Sequence, residues 1–129
     1  MLKYLFDTIK SSVHKFTNLC RPAISMIKIC SSETDFIMLI NNEKKFIFPI
    51  IKQWVETKNF LINIIKKFQL NYENKIMIDN YLNIINHYFC TFCLHIQKKF
   101  YKYKINMKSY CIKFIQYRRT CERTYKYLY

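Results

Sequence analysis

Two stretches of this chain put ligand-binding or reactive side chains close together. The first is the basic, tyrosine-rich tail. From Lys98 onward ten lysines and arginines face a single acid, Glu122. Lys98, Lys99, Lys102, Lys104, Lys108, Arg118, Arg119, Arg123 and Lys126 are the candidate anion-binding residues. Tyr101, Tyr103, Tyr110, Tyr117, Tyr125, Tyr127 and Tyr129 interleave with them. Cations bind phosphates by charge and displace counterions, and tyrosine faces stack on unpaired bases. Nucleic acid is therefore the first expectation for a partner. An acidic protein is a further candidate, and an anionic membrane surface comes behind nucleic acid. No named nucleic-acid-binding motif accompanies the charge, and the ordinary alternative is a solvated helix face.

The second stretch is His87-x-x-Cys90-x-x-Cys93-x-His95. These are zinc-ligand types at short spacing. On a helix, however, steps of three residues advance 300°, so His87, Cys90 and Cys93 drift by about 120° and rise by roughly 9 Å. Two neighbours could share a metal, but three could not without unwinding. The expectation is that these four residues hold no metal and that the chain carries no cofactor. A redox role for Cys90 and Cys93 needs a helix N-terminus to lower the thiol pKa, and the pair lies mid-helix.

The elements that must position these residues read as helices. Ile78, Leu82, Ile85, Phe89, Phe92, Ile96 and Phe100 step by threes and fours and fall within about 40° of one line at 100° per residue. This predicts a long central helix over 74–103. Met77, Tyr81, Ile84 and Tyr88 flank that line. Leu2, Leu5, Phe6, Ile9, Val13 and Phe16 predict a first helix over 2–19, ended before Pro22, with a short apolar piece at 23–30. Ser31-Ser32-Glu33-Thr34-Asp35 is a helix start, with a serine cap and acids in the first turn. That helix runs to about Ile40, and 41–45 is a polar break. Pro49 suits the first turn of a helix over 48–69, whose apolar side carries Ile51, Trp54, Val55, Leu61, Ile62, Ile65 and Phe68. Residues 71–74 break it. A last helix over 106–127 carries Met107, Cys111, Phe114, Cys121, Tyr125 and Leu128. On it Lys108, Arg119, Arg123 and Lys126 share one side within roughly 60°. Arg118 falls inside its apolar stripe, with Asp79 or Glu56 as candidate partners or a stripe that ends one turn early. The expected fold is all-α, a compact single-domain bundle of four to six helices.

Composition bounds what such a bundle can do. The 129 residues are 51% hydrophobic, with no glycine, one alanine and two prolines. Without glycine, phosphate-cradling loops, dinucleotide fingerprints and nucleophile elbows are excluded, and tight hairpins are disfavoured. Isoleucine, asparagine, lysine, tyrosine and phenylalanine are in excess, which reads as an AT-rich genome, viral or organellar. Twenty-two basic residues against eight acidic ones leave +14, a charge that favours an anionic partner.

The N-terminus lacks the apolar run and small-residue cleavage site of a signal peptide. Residues 1–21 resemble a mitochondrial targeting segment in charge, and a first helix is the preferred reading. No segment reads as a membrane span: the best window, 76–96, contains Asp79, several amides and His95. The six cysteines, Cys20, Cys30, Cys90, Cys93, Cys111 and Cys121, are then expected to be free thiols in an intracellular, reducing compartment.

No constellation for nucleophilic or acid–base catalysis emerges. Two functional expectations follow. One is a non-enzymatic basic component of a nucleoprotein assembly that contacts phosphate through its last helix. The other is a viral-type helical interaction protein that binds a host partner in an apolar groove.

Overall fold

The computed structural model describes residues 2–105, and the expected last helix lies outside them. Among the described residues every regular element is helical: α1 (Leu2–Ile29), α2 (Glu33–Asn41), the single turn α3 (Glu43–Phe46), α4 (Phe48–Lys67) and α5 (Tyr72–Tyr103). The described residues thus form an all-α bundle. No described helix is long and apolar enough to cross a membrane.

α5 forms as its period demands. Asn71 caps it by accepting from the Asn74 backbone N–H at 2.9 Å, so the residues expected to be a break begin the helix instead. All seven residues of the predicted line, from Ile78 to Phe100, are at most 2% exposed. The flanking line is only half sheltered: Tyr81 and Tyr88 are partly buried, and Ile84 is exposed. α5 therefore buries one stripe and keeps an outer face.

α1 and α5 run parallel. The Cys20 thiol donates to the Tyr88 carbonyl and, further along both helices, Lys99 and Tyr103 donate to the Cys30 carbonyl. α4 runs antiparallel to both. Moving from α3 into α4, Phe46 packs on Phe92, Trp54 stacks on Phe89, and Thr57 meets Ser12 near the start of α1. α2 lies over the last turns of α5, where Phe36 meets Phe100 edge-on at 5.2 Å. One contiguous core joins all five elements.

Three expectations are corrected. α1 does not stop before Pro22 but runs through it to Ile29. The buried line Ile9, Val13, Phe16, Cys20, Ala23 and Ile27 stays in phase across the proline, and Pro22 faces solvent. Core burial on the far side outweighs the missing N–H, a cost of about 3 kcal/mol. The polar break at 41–45 contains the turn α3. Of the expected apolar side of α4, Ile51, Trp54 and Leu61 are buried together with Ile50, Thr57 and Ile64, while Val55, Ile62 and Ile65 are half-buried and Phe68 is exposed. A threonine at its centre hid this buried side from hydropathy, because the Thr57 hydroxyl is satisfied by Ser12 at 2.9 Å and by Gln53 at 3.1 Å.

Two local expectations agree with the structure. Ser32 caps α2, accepting from the Asp35 N–H at 3.1 Å, and Pro49 sits in the first turn of α4.

Candidate nucleic-acid interface

The parallel register of α1 and α5 brings their basic residues together. The Arg21 guanidinium donates through Nε and Nη2 to the Tyr88 hydroxyl at 3.1 and 2.9 Å, across 67 residues of sequence. One heptad on, Lys28 comes within electrostatic reach of His95 at the same offset. Lys98 and Lys99 follow on α5. His95 records this crowding: partial burial, then Lys28, Lys98 and Lys99, lower its pKa below the ordinary histidine value. Two helices thus contribute to one cationic end. Neither spacing nor periodicity announced Lys28, because nothing local ties it to residues some 70 positions away.

The predicted anion-binding lysines divide by role. Lys99 is committed to the fold: its ammonium donates to the Cys30 carbonyl at 2.6 Å and to the Lys28 carbonyl at 3.4 Å. It thereby satisfies carbonyls left open where α1 ends. Lys98, Lys102 and Lys104 are exposed. Lys102 lies 5.5 Å from the centre of the Tyr103 ring. Lys104 occupies the left-handed position that closes α5, with φ 55°. The ion pair found among the described residues, Lys52 with Glu56 at 4.0 Å, lies elsewhere on an exposed stretch of α4. Among the described residues no carboxylate forms an ion pair with the lysines of the cationic end, and Asp35 at the start of α2 comes within electrostatic reach of Cys30 beside Lys99. Lys108, Arg118, Arg119, Arg123 and Lys126 lie outside the described residues. Of the candidate partners for Arg118, Asp79 is exposed and Glu56 pairs with Lys52.

The four metal-ligand candidates do not converge. His87 is exposed and meets the Tyr88 ring edge-on at 5.8 Å. Cys93 is not disulfide-bonded and is buried in the core, and His95 sits among lysines that repel a cation. Cys90 is disulfide-bonded. That bond removes Cys90 from any ligand set and corrects the expectation that every cysteine is a free thiol. Cys20, Cys30 and Cys93 are not disulfide-bonded. Burial pushes the Cys20 thiol up to about 12, so it stays protonated at neutral pH and acts as a small apolar side chain with a weak donor. Among the described residues no group of three or more histidines, cysteines or acids is placed to hold a metal.

A depression of about 740 Å³ runs along α1, open to solvent. Its described lining is Asp7, Lys10, Ser11, His14, Lys15, Asn18 and Leu19. Leu19 is the one wholly apolar side chain among the seven.

The chain matches no family model, no curated protein and no solved structure.

Proposed function

We propose that this protein is a non-enzymatic, basic helical binding component that contacts nucleic acid, or a nucleoprotein assembly, through the end of the bundle where α1 and α5 finish. The observation that carries the reading is the meeting of the two helices there: the Lys99 ammonium of α5 reaches the Lys28 carbonyl of α1 at 3.4 Å, and Lys28, Lys98 and Lys99 all lie within electrostatic reach of His95. Like charges held together cost free energy in the isolated protein, and a polyanion relieves that cost while releasing its own counterions. The excess of cations continues in the sequence beyond Lys104, with Lys108, Arg118, Arg119, Arg123 and Lys126.

The test is the salt dependence of binding to a labelled oligonucleotide. Changing Lys28, Lys98, Lys102 and Lys104 together to glutamine is expected to weaken binding at low salt. The slope of log K against log salt should fall by about 0.7–0.9 for each phosphate that the variant no longer neutralises. A second variant, neutralised at Lys108, Arg119, Arg123 and Lys126, reports on the tail. If both variants bind with the affinity and slope of the parent protein, the reading is wrong.

A second reading, a helical interaction protein that engages a host partner through apolar contacts, is favoured by one observation. The outer face of α5 exposes Ile76, Ile84 and Leu94 at roughly two-fifths each. Substituting Ile84 and Leu94 by lysine would abolish binding on this reading and leave nucleic-acid affinity intact or raised.

A further inference from the structure

We propose that the cationic end selects single-stranded over duplex nucleic acid, with Tyr101 as the platform on which an unpaired base stacks. This inference rests on the nucleic-acid reading above and names the form of nucleic acid that the site takes.

Two tyrosines stand two residues apart on the last turn of α5, and they differ in what surrounds them. Tyr103 belongs to the fold. Its hydroxyl donates to the Cys30 carbonyl at 3.3 Å and its ring packs against Phe36 at 6.1 Å. Lys99 and Lys102 lie against that ring at 5.9 and 5.5 Å. Tyr101 points away from all of this and is 70% exposed. The bundle makes no use of its ring.

The surroundings of Tyr101 distinguish it from the other exposed tyrosines among the described residues, Tyr4 and Tyr72. Tyr4 has Asp7 one turn away, and Tyr72 is followed directly by Glu73, so each stands beside a charge that repels phosphate. Tyr101 lies one turn from Lys98 on the same helix face, since residues three apart are surface neighbours. Lys102 follows it and Lys104 closes the turn. All three lysines are exposed, and no acid occurs between Lys98 and Ile105.

An open aromatic face with Lys98 one turn before it and Lys104 one turn after it suits a strand whose bases are splayed out: the lysines follow the backbone while the ring takes a base. In a duplex the base faces are already stacked on each other, and the ring has nothing to take. The two contributions separate experimentally. Charge sets the salt slope, whereas stacking adds affinity without changing it.

The experiment measures binding of a labelled 15-nucleotide oligothymidylate, and of a 15-base-pair duplex, to the full chain from 50 to 300 mM salt. It compares the parent with Tyr101→Ala and Tyr101→Phe. Tyr101→Ala is expected to lose about 5- to 150-fold in affinity for the single strand, the range for one aromatic–base stack, with an unchanged salt slope and no loss on the duplex. Tyr101→Phe keeps the face and should retain parental affinity. Because Tyr101 is exposed, both variants should melt at the parental temperature by circular dichroism. Parental affinity of Tyr101→Ala for the single strand overturns the proposal, and so does an equal loss on both ligands; either outcome leaves the nucleic-acid reading standing. A parent protein that binds neither ligand overturns both.

Discussion

Trp54 shows how single side chains hold this core in one arrangement. Its ring stacks on Phe89 at 4.1 Å, nearly parallel, and the Lys58 ammonium lies 4.5 Å from the indole centre on the same helix. Burial lowers the Lys58 pKa, the signature of a partly desolvated ammonium that the ring face can stabilise. The indole N–H donates to Asn86 Oδ1 at 3.1 Å inside the core. Asn86 is wholly buried between the apolar positions Ile85 and Phe89. This bond sets the register of α4 against α5, since sliding either helix by a residue would bury the indole N–H without an acceptor. Asn86→Leu is therefore expected to destabilise the protein by about 1–3 kcal/mol, the cost of an orphaned buried donor. Adding Trp54→Phe to that variant should cost less than it does in the parent, because the donor is then gone as well. Urea denaturation followed by circular dichroism measures both. Asn86 reads in the sequence as one more polar interruption. Its role depends on Trp54, 32 residues away.

Helix ends show what a chain without glycine must do. α5 closes with the Lys104 N–H on the Tyr101 carbonyl and the Ile105 N–H on the Phe100 carbonyl, the paired bonds of a Schellman ending. Ile105 then joins Phe100, Ile37 and Ile40 around a gap too small to hold water. The residue in the left-handed position, normally glycine, is Lys104 at φ 55°. Lys104→Gly is expected to raise stability by up to about 1 kcal/mol by removing the Cβ penalty. Lys104→Val should lower it, because a β-branched side chain fits that region badly. The shift in melting temperature checks both. Midway along α5, where Arg21 meets Tyr88, Pro22 illustrates why local signals misplace boundaries. A proline inside an apolar period reads as a stop, yet α1 continues because Ala23, Ile24 and Ile27 gain burial beyond it.

At the scale of the whole molecule, charge is the dominant unusual feature. A net +14 on 129 residues works against the compact state through self-repulsion, and the repulsion concentrates where α1 and α5 end. His95 reports it. Burial and the lysines Lys28, Lys98 and Lys99 depress its proton affinity in the folded state, so the unfolded chain binds that proton more readily. Stability from this group is full above the ordinary histidine pKa and falls as the pH drops through that value towards the depressed one. His95→Gln is expected to flatten the pH dependence of the melting temperature as the pH falls below the ordinary histidine pKa of about 6.5. Added salt should flatten it in the parent by screening the lysines. An unchanged profile in His95→Gln would show that other groups govern the acid limb.

The linear chain determined its helical class and one buried face, but not every helix boundary. Seven bulky residues from Ile78 to Phe100 recur at the helical period, and a period that regular leaves one way to hide them from water. The caps at Ser32 and Asn71 and the placement of Pro49 are local chemistry. Tertiary structure alone decided which of the lysines serves the fold and which face solvent. Lys99 is spent on the open carbonyls of α1, while Lys28 is brought from far upstream to the same place. It likewise decided that Thr57 and Asn86 belong inside and that Cys90 is bridged. Helical period is carried by neighbours three and four residues apart and can be read along the chain. The worth of a charge, an amide or a thiol is set by whatever another helix brings against it, and that depends on the register between helices.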